Sequence, residues 1–430
     1  MEANHTLHQE RAILVGVALP KMPAWEAEHS LDELGRLVAT AGLVEAARQI
    51  QGRDRIDPAH YVGKGKAASL KQLAAQCQAD VIVFDNDLSP AQMRNLESIT
   101  KLRIIDRSAV ILDIFARHAR THTAQIQVEL AQLNYLLPRL TRYWTHLSRQ
   151  AGGGAIRGMG AAGVRGPGGL IRRQINSLEA KLDKIGVQMA TNRKNRADVF
   201  KVALVGYTNA GKSTLMKRLS GADVLVEDQL FATLDSTTRA VDLDRNHKIL
   251  LTDTVGFINR LPHHLFASFR ATLEEAVEAD LLLHVIDLSF PYYESQIATV
   301  EQVLHNLGLA DSPTLRVYNK IDQVAPGEEE RIAAAYADRE DAIAVSASQA
   351  INLDALRDKI RAYSVAGDIT LELQVPQAEG RLLAHLHQQG QVLAETYKGN
   401  DVCLCVRLEK TWAKRWRLER FVPPSPTEAG

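Results

Sequence analysis

Cysteine is scarce. The 430 residues hold three, Cys77, Cys403 and Cys405, and no C-x-x-C pair. A disulfide framework or a cysteine-built zinc site is therefore not expected. Cys403 and Cys405 alternate within an apolar stretch and read as one face of a strand. Long hydrophobic runs are missing too: no window approaches ~18 uninterrupted apolar residues, so no membrane span is expected. The first residues carry Glu2 and Glu10 without a long apolar run, which argues against a signal peptide. The expected location is cytoplasmic and reducing. Net charge is also absent. Lys+Arg and Asp+Glu balance at 51 each, so only local charge can point to a partner.

The length exceeds one ordinary core and suggests two to four domains. Residues 1–116 alternate short apolar runs (Ala12–Leu19, Asp80–Asn86, Leu102–Arg107) with helix-period segments (Leu31–Ala41, Lys66–Gln78, Pro90–Thr100). That pattern predicts a small α/β domain on a parallel sheet. In 117–198, Ile126, Leu130, Leu133 and Leu137 share one helical face. They predict a helix from about Asp113 to Trp144, kinked at Pro138. The glycine-rich stretch Gly152–Gly169 cannot sustain a helix. A second helical phase follows at Leu178, Leu182 and Ile185, so the segment reads as a hairpin of two helices. Residues 199–365 alternate β and α again, and 366–430 read as a small α+β domain.

Charge is concentrated in the hairpin. From Arg103 to Asp198 there are sixteen basic residues against six acidic ones. Tyr135, Tyr143 and Trp144 lie among them, a combination suited to RNA. Arg139, Arg142, Arg149 and Arg165 are the candidate RNA contacts.

The most specific pattern follows the strand-like Val202–Val205. Gly206-Tyr207-Thr208-Asn209-Ala210-Gly211-Lys212-Ser213 fits G-x-x-x-x-G-K-[ST], with Thr214 opening a helical run. In that context the pattern is a phosphate loop. Backbone N–H groups and the helix N-terminus wrap the phosphates. Lys212 reaches the β- and γ-phosphates, and the Ser213 hydroxyl ligates Mg²⁺. A second strand, Lys248–Thr252, ends in Asp253-Thr254-Val255-Gly256. Asp253 is placed to hold the magnesium, and Gly256 to offer its N–H to the γ-phosphate. Between the two motifs, Thr233, Thr237 and Thr238 are candidates for the hydroxyl that senses the triphosphate state.

Strand-like Thr314–Tyr318 leads into Asn319-Lys320-Ile321-Asp322. The Asp322 carboxylate can accept from guanine N1 and its exocyclic amine, which adenine cannot match, a difference of a few kcal/mol. Asn319 braces this loop, the stem of Lys320 covers the base, and the backbone of Ser346-Ala347-Ser348 meets O6. The ligand pair is thus GTP and GDP. Where Ras-like sites carry a water-orienting Gln, this chain has Phe257. Slow intrinsic hydrolysis, stimulated by a partner, is expected.

Together these residues resemble the HflX family of ribosome-associated GTPases. The likeness spans nearly the whole chain and is carried by Y-V-G-K-G-K-A (Tyr61–Ala67), L-S-P-A-Q-M-R-N-L-E (Leu88–Glu97), Ile105–Leu133, R-G-P-G (Arg165–Gly168), the phosphate loop, L-F-A-T-L-D-S-T-T-R (Leu230–Arg239) and D-T-V-G-F-I (Asp253–Ile258). It departs from the family pattern just after Gly168. The resemblance implies that Phe231-Ala232-Thr233-Leu234-Asp235 is the sensing segment, with Thr233 joining Ser213 and Asp253 at the metal. Lys212, Thr233 and Gly256 are then the catalytic candidates. It further implies binding to the ribosome, chiefly the large subunit and its rRNA, which stimulates hydrolysis, and a part in splitting or rescuing ribosomes under stress. Members have also been associated with ATP binding and RNA unwinding through the N-terminal part. A monomer is expected. The alternative is a GTP-switched ribosome- or RNA-binding assembly or storage factor without splitting activity.

Overall fold

Residues 12–17 form an unbroken apolar run buried on every side, as the central strand of a parallel sheet requires. In the computed structural model this run belongs to β1 (Arg11–Ala18), followed by α1 (Ala24–Thr40), β2 (Val44–Gly52), α2 (Lys64–Cys77), β3 (Val81–Phe84), α3 (Pro90–Thr100), β4 (Arg103–Asp106) and α4 (Arg107–His118). The strands pair in parallel in the order β2-β1-β3-β4. The structure describes residues 9–20, 22–150, 167–193, 199–221, 230–231, 236–244, 247–259, 276–324, 327–365, 368–409, 413 and 416–423. Ser89 starts α3 with a capping box closed by Gln92, and Pro90 takes the first helical position. The edge strand β2, largely polar and part-exposed, was not legible in the sequence.

The helix expected from Asp113 is two helices. Ala119 leaves helical geometry and ends α4. The Thr121 hydroxyl accepts from Ala124 N–H at 3.2 Å and starts α5 (His122–Gln150). Pro138 lies within α5. The partner helix α6 (Pro167–Arg193) packs on it through Ile126, Leu130, Ile175 and Leu178. Of the expected glycine tip, residues 152–166, including Arg165, fall outside the described residues, whereas Pro167, Gly168 and Gly169, expected to be non-helical, form the first turn of α6.

Two adjacent charges at the end of β4 hold this part of the chain together. The Arg107 guanidinium, fully buried, pairs with Asp85 at 2.8 Å and with Glu33. Asp106, also fully buried, accepts from Leu88 N–H (3.2 Å), Ala109 N–H (3.0 Å), the Tyr135 hydroxyl (2.9 Å) and Arg139 Nη2 (2.9 Å). Arg139 also lies over the Tyr135 ring, 3.4 Å from its centroid. Burial pushes the Asp106 carboxyl above its usual range, against the pull of Arg139. Arg139, expected on an RNA-facing stripe, thus has its guanidinium on β4 and the Leu88 carbonyl.

The nucleotide motifs sit on a six-stranded sheet of order β10-β9-β8-β5-β7-β6. Its strands are β5 (Phe200–Gly206), β6 (Thr237–Asp242), β7 (Lys248–Asp253), β8 (Leu281–Asp287), β9 (Thr314–Asn319) and β10 (Ala342–Ala344). All pairs are parallel except β6 with β7. Helix α7 (Lys212–Ser220) and α10 (Leu353–Val365) cover one face through Leu215, Met216, Leu356 and Ile360. Tyr318 and Ile286 pack towards α8 (Tyr293–Asn306) and α9 (Glu329–Ala337) on the other.

The C-terminal part forms an antiparallel sheet of order β11-β13-β12, from β11 (Asp368–Pro376), β12 (Gln391–Lys398) and β13 (Asp401–Glu409), with α11 (Gly380–Gln389) on one face. Cys403 and Cys405 alternate with the buried Val402, Leu404 and Val406, so they lie on the face away from the core. Among the described residues, no helix is long and apolar enough to cross a membrane.

The chain divides into two compact units. One comprises Met1–Gln188 with Glu227–Asp235 and Val255–Glu274; the other comprises Met189–Val226, Ser236–Thr254 and Glu275–Gly430. Removing the Asp106 carboxylate strands the buried end of Arg139 and opens the joint between β4 and α5. Asp106→Ala is expected to destabilise the first unit by about 3 to 5 kcal/mol. Amide exchange should quicken in α4 and α5 and stay unchanged in β5 and α7; unchanged exchange in α5 would contradict the joint.

Candidate nucleotide site

The phosphate loop lies at the carboxyl end of β5, beside the crossover where parallel open sheets bind ligands. Its glycines answer to close approaches. Gly206, at φ 153°, would place a Cβ 2.3 Å from the Val285 carbonyl oxygen. Gly211, at φ 94°, would place one 2.2 Å from Asn319 Nδ2. Asn209 also takes a positive φ of 60°. Gly211 precedes α7 without a side-chain cap, so the first N–H groups of that helix are open to an anion. Tyr207, Thr208, Ala210 and Lys212 are all buried.

Lys212 Nζ donates to the Gly206 carbonyl at 3.2 Å and the Tyr207 carbonyl at 2.9 Å. Burial lowers its pKa to about 8, partly offset by Asp253. An arriving phosphate would add negative charge beside it and favour its protonated form. The Ser213 hydroxyl donates to Asp253 Oδ2 at 2.6 Å. This brings a hydroxyl and a carboxylate from separate motifs together, the hard oxygen donors that Mg²⁺ takes. Thr254 donates to the Leu204 carbonyl at 2.7 Å and pins the start of D-x-x-G to the phosphate-loop strand.

The base end is a closed circuit of hydrogen bonds. Asn319 Nδ2 donates to the Ala210 carbonyl at 2.9 Å, and its Oδ1 accepts from Ala347 N–H at 3.0 Å. Asp322 Oδ2 accepts from the Ser348 hydroxyl at 3.0 Å. Asp322 Oδ1 is buried and has no partner among the described residues. A buried carboxylate oxygen is costly to leave unmade, and guanine N1–H is the donor type it lacks. Ser346 Oγ lies 3.0 Å from Ser348 Oγ and accepts from Gln349 N–H. Ile321 is fully buried beneath the loop. Lys320, in left-handed geometry, pairs with Asp287 at 2.8 Å. Sequence reasoning missed Asp287; its signal was an acidic residue closing the buried run Leu281–Ile286 of the neighbouring strand.

Of the sensing candidates, Thr237 and Thr238 belong to β6, where the Thr238 hydroxyl meets that of Thr252 at 2.9 Å. Ala232, Thr233, Leu234 and Asp235 lie outside the described residues. Phe231 is described: it is buried, at φ 60°, with its ring edge-on to Phe115, centroids 4.7 Å apart. Val255, Phe257 and Ile258 are buried, and Phe257 brings no hydrogen-bonding group to the position after Gly256.

Three family models match in sequence order: "GTP-binding GTPase N-terminal" over residues 28–116, "GTP-binding GTPase Middle Region" over 118–196 and "50S ribosome-binding GTPase" over 201–320. A relative from Magnetococcus marinus, the GTPase HflX, is 44% identical over 396 residues, covering 91% of this chain and 90% of that protein. The chain belongs to the HflX GTPase family. The Escherichia coli HflX is 42% identical over 383 residues, with 88% of each chain covered. Among solved structures, a GTP-binding protein from Sulfolobus solfataricus in complex with GDP is similar at 24% identity and a TM-score of 0.44, over 83% of this chain and 99% of that one. Like its HflX relatives, the protein hydrolyses GTP.

Replacing Asp322 by Asn exchanges one of its two acceptor oxygens for an NH2 donor, which cannot accept from the guanine edge. Asp322→Asn is expected to weaken GDP binding by about 2 to 3 kcal/mol, on the order of 100-fold, and to favour xanthosine diphosphate. Calorimetry with both nucleotides checks it, and an unchanged GDP affinity would remove the base-recognition assignment.

Proposed function

We propose that this HflX GTPase binds the ribosome, chiefly the large subunit and its rRNA, and hydrolyses GTP there, acting in splitting or rescue under stress. The observation that supports the reading is a phosphate loop and a base loop joined through Asn319, with Phe257, which cannot orient water, at the position after Gly256. Such a site holds GTP well and turns it over slowly until a partner completes it.

On this reading the chain works as four parts: residues 1–116, a basic helical hairpin over 117–198, the GTPase domain over 199–365 and a C-terminal domain over 366–430. The pocket comprises Gly206 to Thr214, Phe231 to Asp235, Asp253 to Gly256, Asn319 to Asp322 and Ser346 to Ser348. Lys212 holds the β- and γ-phosphates. Ser213, Asp253 and Thr233 hold Mg²⁺, which neutralises charge on the phosphate oxygens. The hydroxyl–carboxylate contact of Ser213 with Asp253 fits that ion. The Gly256 N–H and the Thr233 hydroxyl report the γ-phosphate, so that its loss releases their segments. The hairpin supplies RNA contacts from Arg142, Arg149 and Arg165. Arg139 is left out of that set because Asp106 holds its guanidinium. The protein acts as a cytoplasmic monomer.

Purified large subunits are expected to raise GTP turnover by tenfold or more, roughly as other trans-acting GTPase partners do. Arg142→Glu combined with Arg149→Glu should weaken co-sedimentation with ribosomes and flatten its salt dependence, with nucleotide affinity unchanged. Conversion of whole ribosomes into free subunits supports splitting. Particles that stay joined while the protein co-sediments would favour the storage reading instead.

A further inference from the structure

Six residues beyond Lys212, on the last turn of α7, Arg218 reaches across to the base end of the pocket. Its Nε donates to the Ala347 carbonyl at 3.0 Å and its Nη2 to the Ser348 carbonyl at 2.6 Å. These carbonyls belong to the loop whose Ala347 N–H is held by Asn319 and whose Ser348 hydroxyl is held by Asp322. The helix beneath Arg218 is itself anchored. Arg357, on α10, donates to the Leu219 carbonyl at 2.8 Å, and Gly221 closes the helix in left-handed geometry.

A guanidinium is a rigid planar fork of donors. Bonded to two successive carbonyls, it restrains both the position and the rotation of that backbone, which a single-point donor cannot do. Lys212 and Ser213 begin the same helix that Arg218 ends. One rigid element therefore sets the phosphate end and the base end at a constant separation, about 9 Å for six residues of helix.

We propose that Arg218 is a positioning residue for guanine recognition, holding the Ser346–Ser348 loop against the end of the phosphate-binding helix so that its backbone meets the O6 edge of the base. This rests on the guanine-pocket reading above. Arg218 touches no nucleotide on this account. It acts through the loop, so its loss weakens only those ligands that use the loop.

The test compares three nucleotides released from the full-length protein in the presence of Mg²⁺: GDP, inosine diphosphate and 2-aminopurine riboside diphosphate. The first two carry O6 and the third does not. Arg218→Gln is expected to speed release of GDP and inosine diphosphate by a similar factor, on the order of tenfold, and to leave release of the 2-aminopurine analogue within about twofold. Arg218→Lys should recover only part of the loss. Equal acceleration of all three ligands would make Arg218 a general support of the fold and overturn the proposal, as would unchanged GDP release. Should the unsubstituted protein fail to bind GDP at all, the pocket reading itself fails, and that result is distinct from either outcome.

Discussion

The Asn319 carboxamide is the contact on which the nucleotide site depends. It donates to the phosphate loop at Ala210 and accepts from the base loop at Ala347. Neither bond is possible unless position 211 lacks a side chain, because a Cβ there would lie 2.2 Å from Asn319 Nδ2. The second glycine of the phosphate loop is therefore required twice over: by its own backbone conformation and by a side chain contributed more than a hundred residues later. The two loops are one structure, and the N-K-x-D motif braces the phosphate loop as well as the loop proposed to meet the purine.

Much of this is legible in the order of amino acids alone. The phosphate loop, D-x-x-G and N-K-x-D are readable because each role demands a residue type at a fixed offset from a strand end. Buried parallel strands such as β1 and β3 show as unbroken apolar runs, and α3 announces its start with Ser89-Pro90. Edge strands β2 and β12 did not show, since exposed edges tolerate polar residues and are defined by the strand they pair with. The break between α4 and α5 hid because the stretch between Phe115 and Ile126 holds neither Gly nor Pro, and the break is made by the local capping of Thr121. Asp287 and Arg218 escaped for a different reason. Their partners are backbone or side-chain groups 33 and 129 residues away, and a spacing pattern along one chain does not report such pairings.

The other end of the chain repeats the economy of one buried polar group joining several elements. Asp106 ends β4, starts α4, and receives Tyr135 and Arg139 from α5. A buried carboxylate is tolerated there because its acceptor sites are filled by four donors from three directions. The same arrangement explains why Arg139, part-buried on the hairpin, turns its guanidinium to Asp106. Charge counted along a sequence separates neither the ion pairs a fold consumes from those it exposes, nor a structural arginine from an RNA contact.

A displacement experiment addresses the guanine pocket most directly. Protein loaded with a fluorescent GDP analogue in Mg²⁺ buffer is challenged with unlabelled GDP or ADP. The account predicts that GDP releases the label at micromolar concentrations and that ADP fails to do so even at a thousandfold excess, on the order of the discrimination that a buried carboxylate confers. Displacement by ADP as readily as by GDP would contradict it.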